Sequence, residues 1–599
     1  MSPMRFLLHN PTRDLDRFQA FAAEAAKLKP FGRVLLHVGE LSEKARHEIP
    51  EGGSAWHEYA VANPALHKVF PHPKIAPFVP ADWVKANREL LLAKSSAARK
   101  LGLGAWILGQ EPYYMPEAFF RKYPHLRGPR IDHPRRSRGE EFAMCTDLDE
   151  VREIYAWEMT ELKRAVPELG FYMFNTNDAG SGFCWAEWLY SGPNGPKGCV
   201  GVTAGKRIGA FIETLHRGAR AGGGDVSVFI GHVNFRVEER ADVLANLPPE
   251  SGIRGHDNTT FGVGSLLAGD NPARGLINPL GILAGMERVA ETDVANVLVG
   301  FGATYRRASE SIETVRRVLE IVTGFLEKPV KGLRARLDRL HELAARWAGD
   351  AKADEVTEAL HRLDHALEVK HLIAPRYSLL YCAVSLRHLT RPLVFNPKLL
   401  TPEEEGYWLP HVFNIRESEA REDYIDLHGG RMQAAPAGAH GIAGFPALLA
   451  ELRDVAGTLE RAVDGPEGEW LFRLATSVRV YAASLRSIDN FYFGQTIRDR
   501  SRDALERELP HIPEKVGNWD GEGEILAWNE RMRDEFDNAQ ELLALLEERG
   551  TEQVAHADEA RDEDTFVLGP DIVDQLKRKV TIMRDHWLDV EKYLAPPHK

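Results

Sequence analysis

Two apolar stretches near the start, Arg5-Phe-Leu-Leu-His-Asn10 and Arg33-Val-Leu-Leu-His-Val-Gly-Glu40, decide the fold. Each is short, strongly apolar and ends in polar residues, which predicts a buried strand. Between them, residues 15–28 carry apolar side chains at helical spacing, so this segment is an amphipathic helix. Strand, helix and strand in this order form the βαβ unit of a parallel sheet.

The same alternation continues to about Glu327 and supplies eight predicted strands. They are Arg5–Asn10, Arg33–Val38, Ala105–Gly109, Phe171–Asn175, Val226–Gly231, Gly252–Gly255, a weaker one at Leu276–Ala284, and Val294–Phe301. Eight apolar strands with helices between them favour a closed (β/α)8 barrel, a TIM barrel, over an open doubly wound sheet.

At 599 residues the chain exceeds what one hydrophobic core usually serves. We therefore expect a catalytic barrel over residues 1–327 and a mainly α-helical region over 328–599, with a break near 429–444 that separates two subdomains. The predicted helices of the second half are Leu333–Trp347, Ala353–Leu372, Tyr377–Leu389, Phe445–Ala462, Leu471–Phe493 and Glu524–Arg549.

Composition excludes several classes of function. The net charge is −13 with scattered basic residues, which argues against nucleic acid as a partner. No apolar stretch reaches the roughly 20 residues of a membrane span, and the first residues lack a signal-peptide pattern. Four cysteines without C-x-x-C spacing suit a reducing compartment. We expect a cytoplasmic protein that does not bind membranes.

Two common catalytic motifs are missing from the sequence. No G-x-x-x-x-G-K-[ST] phosphate loop occurs, which disfavours nucleotide hydrolysis. No G-x-S-x-G elbow occurs either, which removes the commonest serine hydrolase. Barrel enzymes place their active sites at the residues that follow the strands, so these residues are the candidates for chemistry.

Asp178 is the strongest candidate among these residues. It comes just after the fourth predicted strand and precedes Trp185 and Trp188. A carboxyl in this position suits a general acid, and a nearby tryptophan suits a platform on which a sugar ring stacks. The alternative is that Asp178 caps the following turn through its side chain.

Glu111 follows the third predicted strand and is expected beside Asp178 in the barrel mouth. Two carboxyls on neighbouring strand ends meet the needs of glycosidic hydrolysis: one protonates the leaving oxygen and the other acts as base, nucleophile or charge stabiliser. The alternative is a structural ion pair between Glu111 and an arginine of residues 121–130.

Further polar and aromatic residues near the strand ends are expected to contact substrate. They are His37, Glu40, Tyr113, Asn177, Trp185, His232, Asn234, His256 and Asp257. We predict neither a metal nor another cofactor, because the paired H-x-H of metal-dependent barrel hydrolases is absent from the first strand.

Three segments, residues 110–117, 175–180 and 190–196, resemble bacterial barrel proteins related to the α-glucuronidase and β-N-acetylhexosaminidase groups of glycoside hydrolases. The resemblance covers roughly residues 1–330 and implies an acid beyond strand four, at Asp178. The hexosaminidase signature H-x-G-G-D-E is absent, so a mechanism assisted by an N-acetyl group is not implied. No Glu follows the strand ending at Phe301, where retaining enzymes of the large clan carry their nucleophile.

These observations predict a glycoside hydrolase that cleaves a small oligosaccharide or glycoside, with a carbohydrate substrate as its partner. Two alternatives stay open. One is a metal-dependent barrel hydrolase or isomerase that uses His9, His37, His232 and Asp257. The other is a non-catalytic carbohydrate-binding protein. In either case the helical half could pair two copies of the chain in a homodimer.

Overall fold

In the computed structural model, the chain divides into two compact units. The first comprises Met1–Gly264 and Ile282–Pro329, and the second comprises Ser265–Gly281 and Val330–Lys599. The structure describes residues 4–42, 64–131, 142–176, 182–183, 201–231, 239–255, 260–267, 271–292, 294–303, 308–373, 388–396, 399–408, 435–500, 522–560, 563 and 568–594.

The first unit is built on eight parallel strands. In chain order they are β1 (Arg5–His9), β2 (Arg33–His37), β3 (Gly104–Gln110), β4 (Leu169–Asn175), β5 (Ser227–Ile230), β6 (Ser251–Ile253), β7 (Thr260–Gly264) and β8 (Asn296–Gly300).

The order of these strands is that of a (β/α)8 barrel. The hydrogen-bonded sequence runs β7-β8-β1-β2-β3-β4-β5-β6, and every pairing in it is parallel. Strand β1, the first in the chain, pairs with β8, the last, as the strands of a barrel do. Among the described residues the ladder ends at β6 and β7. The number, direction and cyclic order of the predicted strands are therefore confirmed, whereas the described residues show no pairing that closes the sheet between β6 and β7.

The prediction of the seventh strand is wrong. The segment Leu276–Ala284 contains no strand, and a helix begins within it and runs over Pro279–Glu291. The local reason is a helix start: Asn278 accepts a hydrogen bond from the Gly281 N–H at 3.0 Å, and proline suits the first helical position. Strand β7 instead comes earlier, at Thr260–Gly264, a stretch whose two glycines weaken its apolar pattern.

Helices and short strands complete the first unit. The α-helices are Leu15–Ala25, Ala81–Lys100, Glu117–Lys122, Asp149–Ala165, Ala204–Ala221, Arg240–Ala245, Pro279–Glu291 and Ile312–Glu327. The 3-10 turns are Ala26–Phe31, Leu66–Lys68, Ala76–Phe78 and Pro124–Leu126. The short antiparallel strands are Tyr114–Met115, Arg127–Arg130 and Phe142–Met144 in one sheet, and Gly302–Ala303 with Ala308–Ser309 in another.

One face of the parallel sheet packs on itself to form the interior of the barrel. Six fully or almost fully buried side chains meet there: Leu7, Leu35, Trp106, Phe171, Met173 and Phe229. Because side chains alternate along a strand, each of these residues marks which of its neighbours also face inward. The same alternation determines which of the polar residues at the strand ends face the interior of the barrel.

The second unit is almost entirely helical among its described residues. Its α-helices are Gly332–Ala348, Ala353–Ile373, Pro402–Trp408, Ala435–Glu460, Gly468–Arg500, Glu522–Arg549, Ile572–Asp585 and Asp589–Leu594, with a 3-10 turn at Asp350–Lys352. Five of the six predicted helices have an observed counterpart, and the sixth, Tyr377–Leu389, falls mostly outside the described residues. The predicted break near 429–444 is helical from Ala435 onward. None of the described helices combines the length and the apolarity needed to cross a bilayer.

A buried ion pair holds three of these segments together. Lys579 and Glu535 are both fully buried and bonded to each other. The Lys579 ammonium also donates to the His388 carbonyl at 2.7 Å, while Glu535 accepts from Ser487 at 2.7 Å and from Asn490 at 3.0 Å. Lys579 and Glu535 each depend on the charge of the other, because a buried ion without a counter-ion is energetically costly.

We therefore expect Lys579→Met to lower the free energy of unfolding of the helical unit by about 3–5 kcal/mol, since it leaves the Glu535 carboxylate buried without a cation. Calorimetric unfolding of the full chain measures the effect. Lys577→Met is the matched control: this lysine lies on the same helix, is half exposed and pairs with Glu547, so its loss should change stability little. Equal effects of the two substitutions would contradict the prediction.

Candidate active site

A polar cluster lies at the carboxyl ends of β1 and β2. His9 comes two residues after Leu7 and His37 comes two residues after Leu35, so both imidazoles share the inward face of these two buried leucines. Glu40 follows β2 and lies beside them. The carboxyl ends of barrel strands are where active sites are built.

The cluster is held by short contacts to the Glu40 carboxylate. Its Oε1 lies 2.6 Å from His37 Nδ1 and 3.3 Å from His9 Nε2. Its Oε2 is bonded to the ammonium of Lys94, which reaches in from the helix Ala81–Lys100. Trp106 packs edge-on against both imidazoles, with ring centroids 4.9 Å from His37 and 6.0 Å from His9. All five side chains are buried, so their geometry is fixed by packing.

The charges in this cluster follow from burial and from neighbouring ions. The pKa of His9 is lowered to about 4, mainly by burial and next by the adjacent His37, although Glu40 opposes the shift. Burial opposes ionisation of Glu40, but His37 and Lys94 outweigh it and hold the pKa of Glu40 well below its usual value. At neutral pH the cluster therefore contains a carboxylate and a neutral His9 imidazole.

His37 Nε2 is the ring nitrogen on which the chemistry of this cluster can depend. It is buried and has no hydrogen-bond partner among the described residues. It can accept a hydrogen bond from a hydroxyl, accept a proton or ligate a metal. His9, His37 and Glu40 each offer one ligand atom within 4.8 Å of the others, which fits a metal ion. The Lys94 ammonium on Glu40 opposes a metal, because it already neutralises the carboxylate.

Sequence reasoning missed Lys94. Its signal was present, because Leu91, Lys94 and Ala98 share the buried stripe of an otherwise amphipathic helix. A lysine at an apolar position of such a stripe is almost never buried without a charged partner. Glu40 is that partner, although nothing in the sequence links two residues so far apart.

The structure corrects the placement of Glu111. In β4, Phe171 and Met173 pack in the barrel interior with Trp106, whereas Tyr172 between them faces the opposite side. The Tyr172 hydroxyl donates to Glu111 Oε1 at 3.1 Å, so Glu111 also lies on the outer side of the sheet. The carboxyl is fully buried in that layer and does not face the barrel mouth.

Glu111 belongs to a pair of buried carboxyls that bind the backbone of one connecting segment. The Leu66 N–H donates to Glu111 at 2.8 Å, and the His72 N–H donates to Glu158 at 3.0 Å. Burial raises the pKa of Glu111 to about 8, although the hydrogen bonds from Leu66 and Tyr172 oppose the rise. Burial and the nearby Glu111 raise the pKa of Glu158 well above its usual value. These are protonated structural acids at neutral pH.

Of the other expected substrate contacts, Tyr113 is described and is only 2% exposed. Its ring is covered by the Lys68 ammonium, 3.9 Å from the centroid, and by His67 at 5.3 Å between ring centroids. It therefore does not line an open pocket. The remaining predicted site residues lie outside the described residues: Asn177, Asp178, Trp185, His232, Asn234, His256 and Asp257.

The raised pKa of Glu111 predicts a pH-dependent stability. The folded chain keeps this proton up to about pH 8, whereas the unfolded chain releases it near the usual value of 4.5. Stability should therefore fall as pH rises from about 4.5 to 8, by at most about 1.4 kcal/mol per pH unit for this group. Glu111→Gln removes that ionisation, so the drop in Tm between pH 5 and pH 8 should be smaller than in the wild type.

Differential scanning fluorimetry at both pH values measures this drop. Glu117→Gln is the control, because this carboxyl is 57% exposed and pairs with Arg127 at the surface. If Glu111→Gln and Glu117→Gln change the pH dependence equally, Glu111 is not protonated in the folded protein.

Comparison with known proteins supports the fold. No protein-family model matches the chain, and no curated protein matches it. The structure of a GH138 enzyme targeting pectin rhamnogalacturonan II is similar over 98% of this chain and 67% of that chain, with a TM-score of 0.51 and 9% identity. This shows a glycoside-hydrolase-like fold and does not show the activity.

Two further similarities are weaker. The pneumococcal virulence factor StrH matches 61% of this chain and 92% of its own, at 11% identity and a TM-score of 0.33. The α-galactosidase AgaA from Geobacillus stearothermophilus matches 54% of this chain and 42% of its own, at 10% identity and a TM-score of 0.30. Both similarities are too distant to assign this chain to a superfamily, so the superfamily expected from the sequence remains a proposal.

Proposed function

We propose that the chain is a glycoside hydrolase whose active site lies at the carboxyl ends of the barrel strands. The observation that carries the proposal is the buried cluster of His9, His37, Glu40 and Lys94 at this end of the barrel. Buried ionisable groups with a fixed geometry are typical of functional sites. The eight-stranded fold, shared with a glycoside hydrolase, supports the same placement.

In this proposal Asp178 is the general acid. It comes three residues after Asn175, the last residue of β4, and a carboxyl at this point of a barrel can reach a sugar bound over the strand ends. Trp185 would stack on the sugar, and His232, Asn234 and His256 would bind its hydroxyls. Asn177 and Asp257 complete the proposed contacts.

The partner carboxylate is a different residue from Glu111. Glu111 lies on the outer face of the sheet, and Glu40 has both oxygens engaged by Lys94 and the imidazoles. Two other acids, Glu187 and Asp257, follow the fourth and sixth predicted strands in the sequence and are secondary candidates for this role. Asp257 follows β6, two strands from β4 in the sheet, which would place a sugar linkage between it and Asp178.

The substrate class follows from the resemblance of residues 110–117, 175–180 and 190–196 to the α-glucuronidase and β-N-acetylhexosaminidase groups. A screen should therefore include chromogenic uronides, N-acetylhexosaminides and neutral glycosides. Oligosaccharides of pectin belong in the same screen because of the fold shared with the GH138 enzyme. NMR of the first-formed anomer would distinguish retention from inversion.

On any glycoside that is cleaved, Asp178→Asn should lower turnover by about 10² or more and leave binding nearly intact, because it removes the transferable proton. Asp149→Asn is the control, since this carboxyl is 93% exposed and should not affect turnover. Unchanged turnover of Asp178→Asn would eliminate the role of this residue. Binding without product over the whole screen would support a non-catalytic carbohydrate-binding protein.

A metal-dependent barrel hydrolase or isomerase is the second candidate. It is favoured by the fit of His9, His37 and Glu40 to a metal ion. Metal analysis of the purified protein, with activity measured before and after chelation, separates the two candidates. Stoichiometric zinc whose removal abolishes turnover would replace the first proposal.

A further inference from the structure

One buried ring nitrogen in the cluster around Glu40 has no hydrogen-bond partner among the described residues. Lys94 and the imidazoles of His9 and His37 surround the Glu40 carboxylate. His37 Nε2 is buried and has no hydrogen-bond partner among the described residues. A buried acceptor without a donor is unfavourable, so a position of this kind indicates a bound group that supplies the donor.

The Glu40 carboxylate determines which nitrogen of His37 carries the proton. An ionised carboxylate can only accept hydrogen bonds, and its Oε1 lies 2.6 Å from His37 Nδ1. The hydrogen must therefore be on Nδ1, which leaves a lone pair on Nε2 when the imidazole is neutral. The hydrogen bond also fixes the plane of the ring.

Lys94 fixes the carboxylate in turn. Its ammonium is fully buried, bonds to the other oxygen of Glu40 and lies 5.0 Å from the centroid of the Phe18 ring. Lys94 belongs to the helix Ala81–Lys100 and binds one oxygen of Glu40, while His37 binds the other oxygen. Residue 39 is a glycine. A Cβ atom at this position would lie 3.4 Å from His37 Nε2, so the glycine places no side chain against this nitrogen.

We propose that Lys94 and Glu40 are positioning residues that hold His37 with its proton on Nδ1, so that Nε2 accepts a hydrogen bond from a hydroxyl of the bound sugar. The identity of the donor as a sugar hydroxyl rests on the proposed glycoside hydrolase function. A hydroxyl fits better than a metal ion at this nitrogen, because Lys94 already supplies the positive charge that Glu40 needs.

Glu40→Gln changes the hydrogen bonds that this side chain can form with Lys94 and His37. A glutamine has one acceptor oxygen, and the Lys94 ammonium should take it, because an ammonium can only donate. The amide NH2 would then face His37 Nδ1, which must accept, so the proton should move to Nε2. The substitution thus inverts the tautomer and turns the acceptor of the sugar hydroxyl into a donor.

Long-range ¹H–¹⁵N correlation NMR of the full chain, labelled with ¹⁵N-histidine, reads this tautomer without substrate. The His37 signals are assigned by their loss in His37→Ala. We expect protonated Nδ1 in the wild type and protonated Nε2 in Glu40→Gln. Lys85→Met, an exposed lysine on the same helix as Lys94, is the control and should keep the wild-type tautomer.

On a cleaved glycoside, Glu40→Gln should raise KM about tenfold, the effect of losing one hydrogen bond to a bound hydroxyl, with a smaller change in kcat. His37→Ala should show the same rise, and added imidazole should partly reverse it. This second variant keeps the proposal testable if Glu40→Gln fails to fold.

A wild-type His37 protonated on Nε2 at pH 7 would overturn the proposal. So would stoichiometric zinc binding that shifts the Nε2 signal, because it would assign the nitrogen to a metal. Since the tautomer is read without substrate, its failure is distinguishable from a failure to cleave any glycoside. Protonated Nδ1 without any cleavage would support the positioning by Glu40 and refute the hydrolase.

Discussion

The in-register parallel pairing of β1 with β2 is the constraint on which the candidate site depends. Leu8 pairs with Leu36, so His9 and His37, the next residues, end their strands side by side on the same face. A shift of one residue in either strand would turn one imidazole to the outside of the sheet. Glu40 could then no longer contact both rings, and the buried Lys94 would lose the carboxylate arrangement that compensates its charge.

Two buried glutamates that follow barrel strands, Glu40 and Glu111, have opposite protonation because their neighbours differ. Glu40 lies within reach of a lysine and two imidazoles, and these neighbours outweigh the cost of burying its charge. Glu111 faces the outer layer, where its partners are a backbone amide and a tyrosine, and burial keeps it protonated. Burial alone therefore does not identify a catalytic acid; the neighbours of the carboxyl decide its charge.

Much of the fold could be predicted from sequence, because strongly apolar strands such as Arg33–His37 and amphipathic helices such as Ile312–Glu327 carry their own periodicity. Strand β7 was missed because its glycines give no apolar pattern, whereas the apolar residues around Pro279 belong to a helix. The side that Glu111 faces depends on where β3 ends relative to β4, and a sequence does not show this to within one residue.

Some residues of the candidate site could be recognised from the sequence, whereas one depends on tertiary contacts. His9, His37 and Glu40 were recognisable because strand ends in a barrel face the substrate. Lys94 was not, because its role arises only when the helix Ala81–Lys100 brings an ammonium to a carboxylate from another element. A polar site in a barrel is therefore supported by residues of the covering helices as well as by those of the strand ends. In the proposed arrangement the supporting lysine decides the chemistry, because the charge that it supplies would make Glu40 an anchor for an imidazole rather than a ligand for a cation.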